Sequence, residues 1–102
     1  MQQRDYLERM IRDVVAAFAR ITGLIDQGKL EDAERALEEA WSAMVLRRAD
    51  VARLDDTTLR AMLGEKRTFV AKLLDAEAAI VEARGSAAAA DALRARATAL
   101  RS

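Results

Sequence analysis

The chain has 102 residues, enough for one domain with one modest core, and its 17 basic and 17 acidic side chains cancel. That balance gives no electrostatic case for nucleic acid or for an anionic membrane surface. The complete lack of cysteine and histidine removes disulfides, thiolate or imidazole metal sites and the commonest catalytic bases and nucleophiles.

Proline is also missing and only four glycines occur, so little interrupts a helix. Hydrophobic residues make up 52% of the chain, yet its only aromatics are Tyr6, Phe18, Trp41 and Phe69. The core must be aliphatic and rich in alanine, which suits closely packed helices.

A first helix is predicted from about Gln3 to Gln27. Leu7, Ile11, Val14, Phe18, Ile21 and Ile25 alternate in steps of four and three, the period of a buried helix face. Met10, Ala17 and Leu24 add a second apolar row. Gly28 punctuates the chain, since glycine accepts the left-handed conformation that ends helices. A second helix follows from Leu30 to about Arg47, with Leu30, Ala33, Leu37, Ala40 and Met44 inward and Trp41 and Val45 alongside. Glu31 and Asp32 favour its positive end.

Residues 49–53 read either as more helix or as connection. Asp55 then forms a capped start, with Leu54 and Leu59 placed as a hydrophobic staple. The short helix that follows ends at a break or kink at Gly64. A fourth helix covers about Lys66 to Ala83, with Phe69, Leu73, Ala76 and Ile80 inward. Gly85 ends it, and Ser86 is a plausible cap for a thin fifth helix carrying Ala90, Leu93, Ala97 and Leu100.

These elements predict a single all-α domain over residues 1–102: four to five helices, in antiparallel hairpins or an irregular helical bundle. One hairpin spans 3–47, the capped short helix 55–64 and the second hairpin 66–101.

The segment Gly28-Lys-Leu-Glu-Asp-Ala33-Glu-Arg-Ala-Leu37-Glu-Glu-Ala40 resembles the second half of a tetratricopeptide repeat. Gly85, Ala90 and Ala97 repeat its offsets, with Arg94 at the large apolar position and Leu93 beside it. The two glycines lie 57 positions apart, against the 34 of contiguous repeats. The opening residues Gln3, Asp5, Tyr6, Leu7, Arg9, Met10 and Ile11 also resemble the start of a family of small uncharacterised bacterial helical proteins. The resemblance implies architecture, and repeat hairpins of this class generally present surfaces to protein partners.

For chemistry, no catalytic, cofactor-binding or metal-ligating set emerges. The hydroxyls of Ser42, Ser86 and Tyr6 have no base beside them. Glu34 with Glu38 reads as a solvated face, and Asp55 with Asp56 as a helix start. The expectation is a non-enzymatic, cytoplasmic module that needs no cofactor, has no membrane span or evident small-molecule substrate, and binds a protein partner or itself as a homodimer. Tyr6, Met10, Ala17, Leu24 and Trp41 are the candidate interface, although the neighbours of Trp41, Ala40, Met44 and Val45, place it at the edge of the buried stripe and favour a core role for it. The basic C-terminal end, Arg84, Arg94, Arg96 and Arg101, offers an alternative as a nucleic-acid-linked regulator, which the neutral net charge disfavours.

Overall fold

The computed structural model describes residues 2–44 and 47–102, with side chains from residue 5 onward. The described residues are helical with short connections. Helix α1 spans Gln2–Asp26, α2 Leu30–Ser42, α3 Arg48–Arg53, α4 Asp56–Leu63, α5 Arg67–Ala83 and α6 Ala87–Arg101, with a 3-10 turn at Gly64–Lys66 leading into α5. The fold is all-α. Its longest dimension, 41 Å, is set by α1, whose 25 residues reach about 37 Å at 1.5 Å each.

The α1–α2 and α5–α6 turns are built alike. At the first, Gly28 donates its N–H to Ile25 O at 2.9 Å and Lys29 donates to Leu24 O at 2.8 Å. At the second, Gly85 donates to Glu82 O at 2.9 Å and Ser86 to Val81 O at 3.1 Å. Both are Schellman motifs, which satisfy the last carbonyls of one helix and reverse the chain into the next. Gly28 and Gly85 carry φ of 76° and 95°, a backbone that a Cβ disfavours. Ser86 occupies the N-cap position of α6, but its side chain makes no capping bond, so its backbone and not its hydroxyl starts the helix.

Packing centres on α5. Eight of its 17 residues are buried, including Val70, Leu73 and Ile80 with no exposure. It shares its most extensive contact with α6 and also meets α1 and α2. Ala71, Ala76 and Ala78 on α5, with Ala90 and Ala97 on α6, are all fully buried. Side chains this small let the helix axes approach closely. Leu93 packs partly against the core while Arg94 stays outward, which preserves an apolar contact one position away from the repeat-like offset.

Two expectations are corrected. The second helix stops at Ser42, short of Arg47, and its predicted neighbour Val45 lies outside the described residues. The ambiguous stretch is neither a continuation nor a plain connection: it forms the separate helix α3. An unbroken helix would carry Arg48 about 15 Å beyond Glu38 along its axis. The break instead brings Arg48 back against α2, and buries Trp41 and Val51 in one cluster.

Asp55 caps α4 as the sequence suggests, accepting from Thr58 N at 2.6 Å. Leu54 and Leu59 both join the main core. Hydrogen bonds from Thr58 hold the Asp55 carboxyl below its ordinary value. A carboxyl depressed in the folded state stabilises the fold above the unfolded-state value, and that contribution fades as pH falls through the folded one. Asp55→Ala is therefore expected to lower the melting temperature at pH 7, with the difference from the parent shrinking on titration below pH 4 in parallel thermal melts.

The glycines make a second test. Gly23 sits inside α1 with ordinary helical φ and open space where a Cβ would go. Gly23→Ala should raise unfolding free energy by about 0.5–1 kcal/mol, whereas Gly85→Ala should lower it by about 1–2 kcal/mol, both read by chemical denaturation.

Candidate functional site

The break between α2 and α3 creates a charged junction. Arg48 meets Glu77 of α5 side-on, through Nε at 3.3 Å and Nη2 at 2.9 Å, and reaches Glu34 of α2 through Nη1 at 2.8 Å. The same Nη1 also donates to Glu38. Just beyond α5, Arg84 stands 3.8 Å from the other oxygen of Glu34. Burial alone would lower the Arg48 pKa, but hydrogen bonds to Glu77, Glu34 and Glu38 outweigh it and hold the guanidinium charged well above its ordinary value. Glu34 and Glu38 are thus a clamp on α3, where the sequence suggested a solvated face. Their four-residue spacing puts both on one side of α2.

Beside this junction runs a groove of about 610 Å³ between α2, α3, α5 and α6. Its apolar lining includes Trp41, Val51, Leu74 and Leu93, and its charged lining is Glu38, Glu77, Arg48 and Arg96. The charges are already matched within the chain: Arg48 with the two glutamates, and Arg96 Nε with Asp56 at 3.0 Å. One polar group is not matched. Trp41 is 4% exposed and its indole N–H has no hydrogen-bond partner. Leaving such a donor unsatisfied typically costs about 1–3 kcal/mol.

The five residues singled out from sequence are not brought together as one surface. Tyr6 is exposed, with the Lys66 ammonium 5.8 Å from its ring centroid. Met10 is buried in a small cluster with Val14 and Phe69. Ala17 is half-buried and, with Met10, borders a hollow against α2. Leu24 packs partly against the main core. Trp41 is in that core. The predicted second row therefore packs against the chain's own helices and does not form a free face. Ile11, placed in the buried stripe by its spacing, is 47% exposed, and its neighbour Val15 is 54% exposed. The cause is rotation: α1 packs against both α2 and α5, so its inward face centres on Met10, Val14 and Ile21 and turns the Ile11 flank outward.

The C-terminal arginines are each placed on a carboxylate. Arg84 faces Glu34, Arg94 bonds Glu82, Arg96 meets Asp56 and Arg101 bonds Asp75. Among the described residues no group of three or more acids is placed to hold a metal ion, and no helix is long and apolar enough to cross a membrane. No family model matches the chain, and no curated protein or solved structure matches it either.

The Arg48 junction is open to a direct test. Removing the cation leaves three acids facing one another at a half-buried site, so Arg48→Met should cost about 2 kcal/mol of unfolding free energy. Adding Glu77→Gln should recover part of that loss, and the double-mutant cycle in urea measures the coupling.

Proposed function

We propose that this chain is a non-enzymatic protein-interaction module that self-associates and holds a segment of a partner protein in the groove beside Trp41. The observation that carries the proposal is the groove's chemistry. Its charges are neutralised in pairs and its remaining lining is aliphatic and aromatic. An ionic small molecule would have to displace Arg48 from Glu77 or Arg96 from Asp56. A peptide segment needs neither: an aliphatic side chain fills the space near Val51, Leu74 and Leu93.

Further support comes from the helix pairs joined at Gly28 and Gly85, whose offsets resemble those of tetratricopeptide repeats. The pairing of each C-terminal arginine with a carboxylate favours a protein partner over phosphate, since phosphate contact would have to compete with those bonds.

Trp41 is the chain's single tryptophan, so its indole gives one isolated cross-peak in a proton–nitrogen spectrum. Peptides selected against the protein from a random display library are expected to move that peak. Ala92→Arg, at an exposed position lining the groove, should weaken their binding about tenfold or more without unfolding the chain. Selected peptides that leave the indole peak in place and tolerate Ala92→Arg would remove the groove from the proposal.

A further inference from the structure

A hollow of about 360 Å³ lies between α1 and α5, and it shares no lining residue with the groove beside Trp41. Ile11 and Val15 form its α1 wall, four residues apart and so on one side of the helix. Both stand about half exposed, at 47% and 54%. Its floor is Val14 and Phe69, which are buried. Its charged members are Lys72 and Arg101, and no carboxylate lines it among the described residues. The other apolar hollows differ in this respect. The groove beside Trp41 balances Glu38 and Glu77 against Arg48 and Arg96, and the hollow between α1 and α2 has Asp13 and Glu39 against Arg20. Arg101 bonds Asp75, outside the lining. Lys72 meets no carboxylate among the described residues, and its ammonium stands 4.2 Å from the Phe18 ring centroid. A ring face attracts a cation but leaves its charge uncancelled. An exposed aliphatic wall and surplus positive charge thus share one concave site.

We infer that this hollow docks an amphipathic helix of a partner protein, aliphatic on one side and acidic along the adjoining edge. The inference goes beyond the function proposed above, because it adds a second surface that selects its partner by charge. The chemistry of the two walls chooses the occupant. A helix laid along the furrow between α1 and α5 presents its own i,i+4 aliphatic pair to Ile11 and Val15. An acid on the edge beside that pair then faces Lys72. Nucleic acid answers the cations alone: its phosphates bond Lys72 and Arg101 but leave Ile11 and Val15 in water. A lipid surface answers both, yet it is broad and flat and does not reach a recessed floor of Val14 and Phe69. A neutral apolar helix fills the furrow and leaves the surplus charge unanswered. Exposed aliphatic groups rimmed by charge are the usual mark of a protein-binding surface.

The test uses two fluorescein-labelled helical peptides with one leucine stripe, edged with glutamate in one and with lysine in the other. By fluorescence anisotropy at low salt, the full chain should bind the glutamate peptide about tenfold or more tightly than the lysine peptide. Added salt should narrow the gap, because the contacts are exposed. Lys72→Glu should abolish or invert the preference. Lys72→Met keeps the apolar stem and should remove most of it. Val15→Gln, at an exposed position, should weaken both peptides several-fold while leaving the helical circular dichroism unchanged. Equal binding of the two peptides overturns the inference, as does a preference that survives both Lys72 variants. Vesicles of equal parts phosphatidylserine and phosphatidylcholine that bind the chain when neither peptide does would overturn it in favour of a lipid surface. A dimer that Val15→Gln dissolves, with neither peptide bound, would overturn it in favour of a second copy. Ala92→Arg separates the two surfaces. Glutamate-peptide binding lost in that variant belongs to the groove and sinks this inference alone. Binding that Ala92→Arg leaves intact, beside a groove that no selected peptide enters, leaves this inference standing while the groove reading falls.

Discussion

Close approach to α5 is the constraint on which the rest of this structure depends. A helix packed by α6, α1 and α2 together must be apolar around most of its circumference. It must also carry small side chains wherever a neighbour's backbone comes near. Ala71, Ala76 and Ala78 meet the second demand, and Val70, Leu73, Leu74 and Ile80 meet the first. A core with four aromatics in the whole chain can still be closed because alanine brings the surrounding helices within reach of short aliphatic groups.

The connection between the hairpins follows from that arrangement. With α2 and α6 both laid against α5, the intervening chain has to cross from one side to the other. It does so in short pieces: α3, the capped α4 and the turn at Gly64. Arg48 fixes the first of these by bonding acids on α2 and α5 at once. The net contribution of such a junction to stability is modest, because each ion gives up hydration to enter it. It also defines the groove's charged edge, so the path of the chain and the candidate binding surface share one set of side chains.

Much of this was legible in the sequence, for local reasons. Gly28 and Gly85 stand at turn positions that need positive φ, and Asp55 has a cap's neighbours on both sides; both signals lie within a few residues. Which flank of α1 faces inward was less legible. Periodicity gives a face, but Met10, Ala17 and Leu24 on one side of it and Ile11 and Val15 on the other are equivalent until the positions of α2 and α5 are known. Arg48 was not legible as a junction, because its partners lie 10, 14 and 29 residues away. Trp41 fell between two readings that the structure merges, since it is a core residue with an unanswered N–H beside a groove.

The repeated Schellman turns bear on how the chain finds its fold. Each closes a hairpin whose two arms are neighbours in sequence, so most pairings within α1–α2 and α5–α6 form without closing a long loop. The non-local part of the fold is the packing of one hairpin on the other across α3 and α4. Mostly local pairing of this kind gives a low contact order, the pattern that accompanies fast folding among helical proteins. Between the two local units, α5 is the element that both packing surfaces share.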